Sequence, residues 1–128
     1  MIYLASPYSH QDPAVREERF RAVCVVCAKL MSVGHHVFSP IAHTHPVAVV
    51  GDLPKGFDFW REYDWWFVSR VDAVYVLMLD GWKDSIGVAS EIIMANDLNI
   101  PIKYLTAEGD YASVEETGWK VIHADRPD

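Results

Sequence analysis

Residues 73–79 read Ala73-Val74-Tyr75-Val76-Leu77-Met78-Leu79. Seven apolar side chains in a row, without polar alternation, leave no face suited to water. A strand written this way is buried on both faces, and such strands belong to parallel sheets covered by helices. The flanking sequence agrees. Asp80 to Asp84 reads as a loop, Ser85 to Leu98 as a helix and Pro101 to Leu105 as another strand. Upstream, a helix is predicted from about Phe57 to Arg70, and Ile2 to Ala5 is a short buried strand followed by the loop Ser6-Pro7-Tyr8-Ser9. Asp12 as N-cap and Pro13 in the first turn open a helix that runs to about Val33, where Gly34 suits the C-terminal cap. His36 to Ser39 is a second short strand, stopped at Pro40. Residues 41–56 read as a long loop, a length that is often functional in compact domains. The tail carries a turn of helix at Val114 to Glu116 and a short last strand at Lys120 to His123. Strand–helix alternation of this kind means α/β with a parallel sheet. Ligands of such sheets sit at the carboxyl ends of the strands, here the loops at 5–9, 39–45 and 80–85.

The composition narrows the function. At 128 residues the chain is expected to form one domain, 1–128, large enough to bury a core without disulfides or a structural metal. The hydrophobic fraction of 51% excludes intrinsic disorder. Eleven basic against eighteen acidic residues give a net charge of −7, and no basic run exists, so gripping long nucleic acids is not expected. A compact anion remains possible, since backbone amides can hold one. No apolar stretch approaches ~18 residues, so no membrane span is expected. Met1-Ile2-Tyr3-Leu4-Ala5 shows no charged leader and no cleavage pattern. Two cysteines make no disulfide framework, and a cytoplasmic setting is expected.

Two acids stand on the wrong face. At ~100° per residue, Glu91 points the same way as Gly87, Val88, Met94, Ala95 and Leu98. Asp64 shares a face with Phe57, Trp60, Phe67, Val68 and Val71. Ionised carboxylates are rarely buried without a partner. Two on core-facing stripes suggest a pocket wall between them; the plainer alternative is local satisfaction by backbone or by Arg61 and Arg70. Helical side chains lean toward the N-terminus, so residue i is covered by residue i−4. For Glu91 that residue is Gly87, which covers nothing. Glycine inside a helix costs about 1 kcal/mol relative to alanine; close approach of a ligand is one reason for it, a tight helix crossing the other. Ser85 sits at the N-cap position, where its hydroxyl and the first amides would either cap the helix or also hold an anion.

The order of these features resembles the nucleoside 2-deoxyribosyltransferase superfamily. The resemblance rests on Ile2-Tyr3-Leu4-Ala5, on Asp64 eight residues before Asp72, on the apolar strand that follows, and on Ser85-Ile86-Gly87-Val88-Ala89-Ser90-Glu91 ahead of Ile100-Pro101-Ile102. It covers roughly residues 1 to 105. The branch most alike is the 2'-deoxynucleoside 5'-phosphate N-hydrolases: the transferases carry an aspartate six residues before the glutamate, the hydrolases a phosphate-contacting serine, here Ser85. The resemblance implies a flavodoxin-like three-layer sandwich with a parallel sheet of four to five strands, and a homodimer with sites near its interface. It implies Glu91 as nucleophile, Asp64 as the acid at the leaving base, Tyr3 as the group that orients the nucleophile, and Ser6 to Ser9 near the phosphate or sugar. The substrate would be a small-molecule nucleotide or nucleoside, with hydrolysis and transfer both open. The chain departs from the pattern at Pro7-Tyr8-Ser9-His10, at Trp60, Trp65 and Trp66, and at Asp80-Gly81-Trp82-Lys83. The chemistry is coherent: an N-glycosidic bond breaks through a cationic state at C1', which a carboxylate stabilises or traps, while an acid protonates the base.

Other signals are weaker. Cys24-Val25-Val26-Cys27 lies inside a helical apolar run, far from the helix start that a redox pair needs, and reads as packing. His35, His36, His43 and His45 could make a metal site with a carboxylate, but zinc needs three or four converging ligands and only His43-x-His45 has suggestive spacing; contact with a ligand by one of the loop histidines is the stronger reading, with His43 as the candidate. No metal or cofactor is expected. Gly87, Ser6 and Tyr8 join Ser85 as substrate-binding candidates, and Trp82 is a further one, able to stack on a base or to pack. The helix of Glu91 is apolar almost all round, with Ala89 and Ile93 opposite the acid, which favours a homo-oligomer, expected as a dimer. Two other functions compete with the glycosidase: a non-catalytic module that binds a nucleotide derivative, and a metal-dependent hydrolase built on the histidines.

Overall fold

The computed structural model describes residues 1–54 and 56–118. The elements in chain order are β1 (Ile2–Ala5), α1 (Pro13–Ser32), β2 (Val37–Phe38), α2 (Pro40–Gly51), α3 (Phe57–Val68), β3 (Ala73–Leu77), α4 (Ile86–Asp97), β4 (Ile102–Leu105) and α5 (Val114–Thr117). A single 3-10 turn, Trp82–Asp84, precedes α4. The four strands form one parallel sheet in the order β2-β1-β3-β4. The α/β fold and its flavodoxin-like sandwich are as expected. The strand predicted at Lys120 to His123 lies outside the described residues. Among the described residues no helix is long and apolar enough to cross a membrane.

Side chains of a strand alternate between its two faces, and β1 shows what that does here. Ile2 and Leu4 point into a core shared with Val23, Val26, Cys27 and Leu30 of α1. Tyr3 and Ala5 point the other way, into a core with Val68 of α3 and Val88, Met94 and Ala95 of α4. β3 divides likewise, with Tyr75 and Leu77 toward α1 and Val74 and Val76 toward α3 and α4. The sheet is therefore covered on both sides, which is why residues 73–79 carry no polar alternation. Cys24 and Cys27 sit in α1, and burial raises both thiol pKa values, Cys27 to about 11. They stay protonated and pack.

One segment overturns the sequence reading. Residues 41–56 were expected as a long loop, but Pro40–Gly51 forms α2. Pro40 stands at the first helical turn, where its missing N–H costs nothing, and the Ser39 hydroxyl accepts from the Ala42 amide at 3.0 Å. Pro46 lies inside the helix. The local cost of an interior proline is outweighed by packing: Ile41, His45 and Ala48 recur at helical spacing and are all buried.

The chain leaves β1 for β2 on one side and β3 on the other, so the carboxyl end of β1 is the point where strand order reverses. Open α/β sheets place their crevice there.

Candidate active site

Strand alternation aims Tyr3 at the α3–α4 side of the sheet, and the two acids meet it there. Glu91 shares the inward face of α4 with Val88, Met94 and Ala95, and Asp64 shares that of α3 with Val68. Glu91 is 4% and Asp64 8% exposed. The Tyr3 hydroxyl donates to Glu91 Oε2. Among the described residues neither acid forms an ion pair with a basic side chain. Arg70 instead donates to the Trp66 carbonyl at 2.8 Å and lies over the Trp66 ring.

Burial without a counter-charge sets the protonation. It raises the Glu91 pKa well above the ordinary carboxyl value; the charge of Asp64 adds to the rise and the Tyr3 hydroxyl offsets part of it. Asp64 is likewise pushed up by burial, to about 7, again partly offset by Tyr3. Two carboxyls that each resist ionisation titrate as a unit, and both meet one phenol. Tyr3 itself is held well above its ordinary pKa by burial and then by the charges of Glu91 and Asp64, so it stays a neutral donor.

A cavity of about 400 Å³ opens onto this group, a volume suited to a small organic ligand. Four segments wall it. Ser6, Tyr8 and Ser9 follow β1; Ile41, Thr44 and His45 come from α2; Phe57, Trp60 and Asp64 from α3; Asp84, Ser85, Gly87 and Glu91 from the start of α4. Of the nine residues singled out in sequence, Glu91, Asp64, Ser6, Tyr8, Ser85 and Gly87 line the cavity and Tyr3 bonds Glu91 from the sheet. His43 and Trp82 are not among the lining residues. His43 is exposed on α2 with its ring 6.0 Å from Phe38. Trp82 packs beside Tyr104, ring centres 5.8 Å apart, on the α3–α4 core. A helix turn carries His43 outward, and the 3-10 turn lays Trp82 on the core.

Ser85 caps α4, its Oγ accepting from the Val88 amide at 3.2 Å. Gly87 does not mark a tight crossing. A methyl group built there would meet Phe57 Cδ1 and Ser85 Oγ at 3.8 Å, ordinary contact distances. The fold tolerates alanine, and the space a methyl would take faces the cavity. Gly87→Ala is therefore expected to stabilise the protein by about 1 kcal/mol through helix propensity, read as a rise in Tm, and to weaken ligand binding roughly tenfold in the same thermal-shift titration. Unchanged affinity would assign Gly87 to packing alone.

Sequence reasoning named His45 but did not select it, and it passed over Asp84, Thr44, Phe57 and Trp60 as wall residues. His45 is buried, with Nδ1 2.6 Å from the Tyr8 hydroxyl and Nε2 3.1 Å from Glu17 Oε1. The signal was present: a helix begun at Pro40 puts Ile41, His45 and Ala48 on one face and His43 on another. Ser6 Oγ is buried and has no hydrogen-bond partner among the described residues.

A 2-deoxyribosyltransferase from the psychrotolerant bacterium Bacillus psychrosaccharolyticus is similar in structure, with a TM-score of 0.57 and 22% sequence identity over 99% of this chain and 91% of that one. At that identity the likeness establishes a shared fold. No curated protein matches the sequence. A family described as "Domain of unknown function (DUF1937)" matches residues 1–106. That span includes all four strands, Tyr3, Asp64, Glu91 and the cavity walls, and the chain belongs to this family.

Proposed function

We propose that this protein breaks the N-glycosidic bond of a nucleoside or nucleotide, as a hydrolase or a deoxyribosyltransferase, with Glu91 as the nucleophile. The observation that carries the reading is the pair of buried, unneutralised carboxyls joined to Tyr3 at the wall of a ligand-sized cavity. The fold shared with a 2-deoxyribosyltransferase supports it. In the first step the bond from C1' to the base nitrogen breaks and a bond from Glu91 to C1' forms. Asp64 gives its proton to the departing base. In the second step water, or a second base, attacks C1' and returns a proton to Asp64, and Glu91 leaves as a carboxylate. Tyr3 orients Glu91 through its hydroxyl. Burial raises both carboxyls; the positive charge that develops at C1' favours the ionised form of the one beside it, Glu91, and leaves the proton to Asp64.

Ser6, Tyr8, Ser85 and Gly87 are the proposed substrate contacts. The start of α4 pulls two ways on the far end of the ligand. Free amides behind Ser85 favour an anion, whereas the Asp84 carboxylate beside it favours a neutral group. The test is base release, followed chromatographically, from a panel of nucleosides paired with their 5'-monophosphates. Release of free base, or exchange when a second base is added, is the expected result. Binding on the same panel without release would identify a non-catalytic binding module.

A second copy of the chain is the proposed partner. Phe59, Trp65 and Trp66 of α3 and Ile86 and Ile93 of α4 are exposed, and large apolar patches on a surface mark interaction sites. Light scattering is expected to return about twice the 14.5 kDa chain mass. A monomer-sized particle at micromolar concentration would remove the dimer.

A further inference from the structure

A second polar cluster reaches the same cavity through Tyr8 and His45 and takes no part in the carboxyl chemistry. Tyr8 comes from the loop after β1, His45 from α2 and Glu17 from α1. The imidazole is fixed on three sides: Tyr8 at Nδ1, Glu17 at Nε2, and the Phe20 ring 4.4 Å away and tilted 30° along its face. Glu17 also meets Arg21 at 3.3 Å, which holds its carboxylate in place. An ionised carboxylate only accepts, so Nε2 carries a proton and donates it to Glu17. In the neutral ring Nδ1 is then a lone pair, and the Tyr8 hydroxyl must donate to it. Burial raises the Tyr8 pKa, with Arg16 offsetting part of the rise, so this proton stays on the phenol. The Arg16 side chain donates to one lone pair of the Tyr8 oxygen, and what Tyr8 has left for the cavity is the other. Two residues earlier Ser6 Oγ lies buried in the same wall without a hydrogen-bond partner among the described residues.

We propose that Tyr8, polarised by Glu17 through His45, is a dedicated hydrogen-bond acceptor of the cavity, with Ser6 beside it, and that it selects ligands presenting an N–H or O–H donor over those presenting an oxygen acceptor. The choice of ligand rests on the nucleoside reading; the polarity of Tyr8 does not. Two groups of a nucleoside could supply the donor, an amino group of the base or a hydroxyl of the sugar. A site built to pair with a donor rejects an analogue lacking it strongly, because its own buried groups go unpaired.

Calorimetric titration of the full chain with two matched pairs separates these sources. One pair removes the amino group of the base (deoxyadenosine against purine 2'-deoxyriboside); the other removes one sugar hydroxyl (adenosine against deoxyadenosine). In one of the pairs the donor-bearing member is expected to bind ten- to a hundredfold tighter. Tyr8→Phe should shrink that preference to about twofold or less, and so should His45→Phe, which keeps the stacking on Phe20 and frees the Tyr8 proton. Equal binding in both pairs, or a preference that survives Tyr8→Phe, overturns the proposal. The nitrogen NMR shifts of His45 in the unliganded wild type give an independent reading. Nε2 protonated and Nδ1 bare is expected, and the opposite tautomer overturns the proposal even if a variant fails to fold. If no nucleoside or nucleotide binds, the proposed function falls and with it this choice of ligand, while the tautomer still decides the polarity of Tyr8.

Discussion

Glu91→Ala is expected to lower base release by about a thousandfold or more while leaving ligand affinity within a few-fold and the fold intact. A nucleophile acts in the transition state, so its loss falls on kcat and not on binding. The fold should survive because the substitution removes a buried carboxyl with no cation to pair it, and Val88, Met94 and Ala95 still anchor α4 to the sheet. Rates, titrations and melting curves on one preparation check all three parts. Unfolding of the variant, or undiminished turnover, would make Glu91 structural. Asp64→Asn should cost about a hundredfold or more, concentrated on bases that are poor leaving groups, as expected of a general acid.

Asp64→Asn is also expected to change how stability depends on pH. The Asp64 carboxyl moves from an ordinary 3.8 to about 7 on folding, so the folded chain binds that proton more tightly than the unfolded one. Below 3.8 both states are protonated and the group costs nothing. As pH rises toward 7 the unfolded chain ionises while the folded chain holds its proton, and stability falls. Above 7 the loss is complete. A shift of this size corresponds to roughly 4 kcal/mol, and Glu91 adds in the same direction because burial raises it too. The variant should therefore be more stable than the wild type at pH 8, with the gain shrinking toward pH 4. Denaturant unfolding of both proteins across that range checks it. A difference between the two that does not vary with pH would mean that Asp64 titrates normally.

The fold was legible because burial on both faces of a sheet leaves a plain mark. The apolar run at 73–79 read as a covered strand, which the structure forms over Ala73–Leu77, and the caps at Asp12 and Ser85 are local chemistry that holds in the structure. Segment 40–51 was not legible by the same means. Pro40, Pro46 and a cluster of histidines read as a loop, and only the packing of Ile41, His45 and Ala48 makes a helix of them. The error carried over to the site. With 41–56 taken as a loop there was no periodicity to separate His43 from His45, and the exposed one was chosen. Glu91 and Asp64 were legible because a carboxylate on an apolar stripe is costly wherever the stripe is buried. Their approach to Tyr3 was not derivable from either helix alone, since it depends on which way β1 alternates. Glu17 gave no signal at all: on α1 it is one of several charged residues, and its place behind His45 is a product of tertiary packing.

The most direct test of the account asks whether Glu91 bonds to the sugar. A nucleoside with a fluorine at C2' forms the glycosyl-enzyme but should release it slowly, because fluorine destabilises the cationic state that opens it. After incubation, proteolysis and peptide mass spectrometry, one sugar is expected on the peptide that contains Glu91, with free base in equal amount and no adduct on Glu91→Ala. A wild-type protein that releases base with Glu91 unmodified, or that carries the sugar on another residue, would contradict the account.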